Sequence, residues 1–181
     1  MKVGIINVTG YSGVELARLI HRHSDADLVG VTGRSSAGKK LGQVFPHLAE
    51  IDLTIEEDIS KSVDVVFSAL PQVASAEACL PYVRSGVKVI DISADFRLHL
   101  SAEYQEWYQN QHPAPDLLET SVYGLTELDR KGIRAAQLIA NPGCYPTGAL
   151  LALAPVVKEG LIGSEILIDA KSGVSGGGRG S

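Results

Sequence analysis

The sequence predicts an α/β fold, a doubly wound parallel sheet with helices on both faces. Two observations carry that reading. Short β-branched runs alternate with helix-period segments up to about residue 143, the pattern of strands buried on both sides. A glycine-bearing turn also joins the first run to the first helix, as a Rossmann-like sheet requires.

The elements follow in order. Residues 3–6 form the first apolar run and residues 14–20 the first helix, with Leu16, Leu19 and Ile20 expected on its buried face. Residues 28–31 are the next strand and complete a right-handed βαβ unit. Residues 63–70, with Val65, Val66 and Phe67, predict a third buried strand, residues 73–84 a helix and residues 87–92 another strand. Ser101 opens a short polar helix reaching residue 110. Pro113 and Pro115 predict a loop over residues 111–120. Residues 137–140 resume as strand, and residues 146–158 form a helix that Pro155 is expected to kink or end. Residues 165–170 predict a last strand before the glycine-rich segment 176–180.

Composition narrows the function classes. The chain has 181 residues, 45% of them hydrophobic, which supports a packed interior and excludes general disorder. A net charge of −5 argues against a nucleic-acid partner, which draws on a basic face. Two cysteines, Cys79 and Cys144, are too few for a disulfide framework. The first residues read as a strand rather than a signal peptide. No apolar run approaches the roughly 20 residues that span a bilayer. The expectation is a soluble cytoplasmic protein without a membrane partner and with a small-molecule substrate.

The turn Asn7-Val8-Thr9-Gly10-Tyr11-Ser12-Gly13 lies between the first strand and the first helix. Thr9, Gly10, Tyr11, Ser12 and Gly13 are therefore candidates to hold a dinucleotide pyrophosphate at the helix N-terminus. Asn7 stands where such turns usually begin with glycine. Asparagine tolerates the left-handed conformation better than most residues, so the turn survives, with a side chain that could crowd the ligand. After the second strand the run is Gly33-Arg34-Ser35-Ser36-Ala37-Gly38-Lys39. Arg34, Ser35 and Ser36 suit a 2′-phosphate, where an acidic residue would suit the NAD ribose. The expected cofactor is NADP. Read blandly, the first segment is a tight turn without ligand and the second a solvated basic loop.

A second turn, Asn141-Pro142-Gly143-Cys144-Tyr145-Pro146-Thr147, follows a strand and opens a helix. Pro142 and Gly143 sharpen it, and Pro146 suits a first helical turn. Cys144 is the candidate nucleophile, since a helix N-terminus favours thiolate and its free N–H groups suit an oxyanion. A free cysteine is more often a small buried hydrophobe. Cys79, between Ala78 and Leu80 within a helix, fits that description. None of His21, His23, His47, His99 and His112 lies in a motif that marks it as the base for Cys144.

The order of motifs resembles that of the N-acetyl-gamma-glutamyl-phosphate reductases over essentially the whole chain. The carriers are Gly10-Tyr11-Ser12-Gly13, residues 34–39, Ala69-Leu70-Pro71, Asp91-Ile92-Ser93-Ala94-Asp95-Phe96-Arg97, Tyr123-Gly124-Leu125, residues 141–147 and residues 172–179. The resemblance implies an NADP-binding Rossmann domain over 1–143 and the start of an α+β catalytic and dimerisation domain over 144–181. It implies NADPH-dependent reduction of an acyl phosphate to a semialdehyde, through a Cys144 thioester, in arginine biosynthesis. It places Ala69, Leu70, Pro71, Ser175 and Gly176 at the cofactor and Asp95, Arg97, Asn141, Ser172 and Arg179 at the substrate. For Asp95 and Arg97 a structural ion pair is the competing reading. The resemblance also implies a homo-oligomer and a catalytic histidine beyond Ser181. Aspartyl-phosphate and amino-adipyl-phosphate reductases share this chemistry, and a nucleotide-binding module without catalysis is the alternative from another class.

Overall fold

The computed structural model describes residues 1–178. Among them, seven parallel strands form one sheet. They are β1 (Lys2–Ile6), β2 (Asp27–Thr32), β3 (Ile55–Glu56), β4 (Val65–Ser68), β5 (Lys88–Asp91), β6 (Val122–Tyr123) and β7 (Leu138–Ala140), in the order β3-β2-β1-β4-β5-β7-β6. The helices are α1 (Tyr11–His21), α2 (Leu41–Val44), α3 (Ala74–Arg84), α4 (Ser101–Tyr108), α5 (Pro115–Thr120), α6 (Arg130–Ala135) and α7 (Cys144–Lys158). The expected α/β doubly wound sheet is the observed one.

Burial explains why these segments pair. On one side Val3, Ile5 and Val31 pack with Ala17 and Ile20 of α1, and with Leu41, Phe45 and Leu48. On the other, Ala76, Cys79 and Val83 of α3 pack with Val89, Phe96, Tyr104 and Leu118. Burying a large aliphatic or aromatic side chain fully contributes about 1.5–3 kcal/mol, so these two clusters dominate the stability of the sheet. The buried face of α1 is Gly13, Ala17 and Ile20, while Leu19, expected inside, is 51% exposed.

Several expectations are corrected. Pro115 is the first residue of α5, where its missing N–H costs nothing, so residues 115–120 are helical rather than loop. Pro155 lies inside α7, which runs on to Lys158. Residues 165–170 form no strand; Leu167 and Ile168 are exposed and no neighbouring strand pairs with them. Two-residue β3 and β6, and the short α2 and α6, had no distinct signal. Among the described residues no helix is long and apolar enough to cross a membrane.

Candidate active site

Strand order reverses between β1 and β4, the neighbours from which the chain winds outward in both directions. Ligands of open parallel sheets bind in the crevice beyond the carboxyl ends of the strands at such a point. The turn after β1 and the loop after β4 meet there, and Asn7 joins them. Asn7 adopts φ 63°, the left-handed conformation anticipated for it. Its backbone N–H donates to Thr32 Oγ1 at 3.1 Å, its Nδ2 donates to the Ala69 carbonyl at 2.9 Å, and its Oδ1 accepts from Thr9 Oγ1 at 3.0 Å. The side chain is thus committed to protein partners, which is why the turn survives without its usual first glycine.

The other glycines divide the work. A Cβ on Gly13 would lie 2.4 Å from the Asn7 carbonyl oxygen and 2.7 Å from Val8 Cα, so only glycine lets α1 pack onto the turn. A Cβ on Gly10 would meet only Asn7 Nδ2 at 3.8 Å, and its φ is −82°. Among the described residues nothing requires glycine there, and the bare backbone leaves room for a ligand at the α1 N-terminus.

Two cavities flank this junction. The larger, about 890 Å³, is lined by Asn7, Thr9, Arg34, Ser35 and Leu70 together with Glu57, Asp58, Ala74, Glu77 and Tyr82. The smaller, about 300 Å³, is lined by Asn7, Gly10, Tyr11, Ser12, Ala69, Pro71, Ser175 and Gly176. The structure therefore brings most of the candidate cofactor residues onto one continuous edge. Ser36 lies in the adjoining turn (Arg34–Ser36) without lining either cavity. An extended dinucleotide fits this arrangement: a cleft at the switch point, a helix N-terminus and a basic side chain at its far end.

Cys144 stands at the first position of α7, after Gly143, and is exposed. Among the described residues no side chain caps this helix, and the first N–H groups of a helix have no partner within it. The turn is held from below. Arg97 Nε donates to the Asn141 carbonyl at 2.9 Å and its Nη2 to the Ile92 carbonyl at 2.9 Å. A Cβ on Gly143 would come within 3.0 Å of Arg97 Nη1, so glycine lets the guanidinium lie against the turn.

The ion pair between Asp95 and Arg97 does not form. Asp95 is 0% exposed, and its carboxylate accepts from Val73 N–H, Ala76 N–H and the Tyr104 hydroxyl at 2.8, 2.9 and 2.8 Å. Expected to touch substrate, Asp95 instead has both oxygens engaged by protein. Burial and the bond to Asp95 push the Tyr104 phenol up. Ser172 is exposed and, among the described residues, donates to its neighbour's carbonyl at 3.2 Å. Arg179 lies outside the described residues.

A second buried network escaped the sequence. Asp91, at the end of β5, accepts from Ser75 Oγ at 2.5 Å, from Ser93 Oγ at 2.6 Å and from Ser93 N–H at 3.1 Å. Burial pushes its carboxyl above the usual range. Ser75 Oγ also meets Ser68 Oγ at 2.6 Å. Burial, and then the Asp91 charge, raise the Cys79 thiol to about 12, the state of an inert structural cysteine. The histidines lie elsewhere. His21 faces Glu50, His23 accepts from Asp25 N–H, His47 meets the Phe45 ring edge-on, His99 meets the Leu118 carbonyl, and His112 is buried against Phe96 and Tyr104.

The family model described as semialdehyde dehydrogenase, NAD binding domain, matches residues 2–136, and the dimerisation domain of the same family matches residues 144–181. A protein of Dehalococcoides mccartyi named N-acetyl-gamma-glutamyl-phosphate reductase is 56% identical over 98% of the chain and 52% of its own length. One of the same name from Pelotomaculum thermopropionicum is 52% identical over 99% of the chain and 54% of its own length. The chain thus spans about half the length of the curated relatives it matches. Among solved structures, the aspartate semialdehyde dehydrogenase of Candida albicans with NADP superposes with a TM-score of 0.60 at 20% identity, over 89% of this chain and 48% of that one. Aspartate semialdehyde dehydrogenase II of Vibrio cholerae gives 0.58 at 19%, over 87% and 46%. At these identities the structural likeness speaks for the fold alone, whereas the match over residues 2–136 settles the family: the chain belongs to the semialdehyde dehydrogenases and carries their NAD-binding domain.

Proposed function

We propose that this chain supplies the cofactor groove and the nucleophile of an NADPH-dependent N-acetyl-gamma-glutamyl-phosphate reductase of arginine biosynthesis. The observation that carries this reading is an exposed cysteine at a helix start, on the same carboxyl edge of the sheet as the groove at the switch point. The names of the relatives select the substrate.

In this reading residues 1–143 are the cofactor domain and residues 144–181 belong to a catalytic and dimerisation domain. The N–H groups at the start of α1, with Thr9, Gly10, Tyr11, Ser12 and Gly13, hold the pyrophosphate. Arg34 and Ser35, with Ser36 beside them, take the 2′-phosphate through charge-assisted hydrogen bonds. Ala69, Leu70 and Pro71 wall the nicotinamide end, with Ser175 and Gly176 opposite. When bound, reduced nicotinamide supplies the hydride that takes a thioester to an aldehyde.

The Cys144 thiolate attacks the acyl carbon; the S–C bond forms, the C–O bond to phosphorus breaks and phosphate leaves. N–H groups at the start of α7 stabilise the developing oxyanion. Arg97, held on the Asn141 carbonyl, keeps the turn in position and brings positive charge beside the departing phosphate, with Ser172 as a further partner for the anion. The exposed apolar side chains Leu150, Leu151, Val157 and Leu161, within the segment matching the dimerisation domain, favour a homo-oligomer; a cytoplasmic location belongs to the same biosynthetic reading.

The test is mass spectrometry of the protein carrying this chain after mixing with N-acetyl-gamma-glutamyl phosphate without cofactor. An acyl adduct on Cys144, absent in Cys144→Ala, is expected. Equal reduction of the acyl phosphate by Cys144→Ala, or faster turnover of aspartyl or amino-adipyl phosphate, overturns the reading.

A further inference from the structure

We propose that Asp95 is a positioning residue that pins a strained loop between the two cavities and so sets the shape of the cofactor groove, a role that rests on the cofactor reading above. The loop runs from Ala69 to Val73 and leads into Ala74, the first residue of α3. Ala69 and Pro71 line the smaller cavity, while Leu70 and Ala74 line the larger. The loop's path therefore decides where one cavity ends and the other begins.

That path includes an unfavourable conformation. Val73 has φ 74° and ψ −48°, a region a β-branched residue rarely enters and holds only when its surroundings over-determine it. Asp95 provides the determination. One carboxylate oxygen accepts the Val73 N–H at 2.8 Å and the other accepts the Ala76 N–H at 2.9 Å, spanning the start of α3. Tyr104 Oη donates to the carboxylate at 2.8 Å. The Asp95 N–H donates to Ser93 Oγ at 3.0 Å, and Ser93 is anchored in turn on Asp91.

The pin acts at a junction. From the other side Asn7 holds the same loop by the Ala69 carbonyl. Two residues after Asp95, Arg97 holds the Asn141 carbonyl in the cysteine turn. One short connection after β5 thus touches both the cofactor loop and the turn carrying the nucleophile.

A plain helix cap and a pin for Val73 predict different things. Loss of a plain cap weakens α3 whatever residue stands at position 73. Loss of a pin matters only while position 73 resists its own conformation, and glycine adopts a positive φ without a steric penalty. Because Val73 is 43% exposed, Val73→Gly opens no core cavity.

The experiment titrates NADPH, followed by its fluorescence, into the chain and into Asp95→Asn, Val73→Gly and the double variant, with melting curves for each. Asp95→Asn is expected to weaken NADPH binding by about tenfold or more, the scale of one hydrogen bond to a charged group. Val73→Gly alone should bind like the parent, and the double variant should recover most of the loss. If Asp95→Asn does not fold, a folded double variant of near-parent affinity supports the role, and a double variant that also fails to fold overturns it. Parent-like binding by Asp95→Asn, or a loss unrelieved in the double variant, overturns the role alone. A parent chain that binds no NADPH overturns the role and the cofactor reading together.

Discussion

The Asn7 side-chain amide donates to the Ala69 carbonyl across 2.9 Å, tying the turn after β1 to the loop after β4 at the one point where the strand order reverses. The residue that breaks the usual glycine pattern is the one that closes the site's floor.

This relationship predicts an ordering of substitutions. Asn7→Gly keeps φ 63° available but loses both side-chain hydrogen bonds, the one to the Ala69 carbonyl and the one from Thr9 Oγ1, each costing about 0.5–1.5 kcal/mol. Asn7→Ala loses the tie and must also hold a left-handed conformation, adding about 1–2 kcal/mol. Urea unfolding should rank stability as Asn7, then glycine, then alanine. Glycine as the most stable of the three would overturn this ordering and show that relief of the left-handed conformation outweighs the amide tie.

The two thiols should differ sharply. Cys79 is 0% exposed and its thiol is raised to about 12 by burial, whereas Cys144 is exposed at a helix start. A chromogenic disulfide reagent should therefore titrate one thiol in the native chain and both after unfolding. Cys144→Ser should leave none reactive before unfolding. Rapid native reaction at Cys79 would contradict the packing of α3 on β5.

What the sequence revealed and what it hid have a common physical cause. Local signals were enough where a residue's own conformation decides the outcome: the left-handed Asn7, the glycine turn and the proline-framed start of α7. Strands β1, β2, β4 and β5 announced themselves because each is buried on both faces. Residues 165–170 carry the same kind of apolar signal without forming a strand, since a strand exists only against a neighbour. Pro115 signals a break in the sequence, yet its position makes it a helix start. Asp95 was legible as a motif but not in its role, because its partners Val73 and Tyr104 reach it through the fold rather than through spacing.

The cofactor preference has its own test. Arg34 lines the larger cavity with Ser35, but so do Glu57 and Asp58, whose charges oppose a 2′-phosphate. If Arg34 supplies the attraction that overcomes them, Arg34→Ala should weaken NADPH binding by roughly tenfold to a hundredfold and leave NADH binding nearly unchanged. Parallel titrations with both nucleotides check this, and an unchanged ratio would remove Arg34 from the 2′-phosphate site.

His112 should make the fold acid-sensitive. It is 6% exposed, its ring packs edge-on against Phe96 and Tyr104, and its Nδ1 accepts the Ala114 N–H at 3.1 Å. Burial lowers its pKa from the ordinary 6.5, with Asp95 and Asp116 pulling less strongly the other way. The unfolded chain therefore binds this proton more readily than the folded one. Stability from this group is full above about pH 6.5 and falls as pH drops below it, by at most about 1.4 kcal/mol per pH unit. In His112→Asn the side-chain oxygen can still accept the Ala114 N–H, as asparagine does in a two-residue turn, but nothing titrates. The variant should be less stable at neutral pH through lost packing, yet flatter between pH 6.5 and 5 when unfolding is followed by denaturant at each pH. A parallel decline in both proteins would assign the acid sensitivity to other groups.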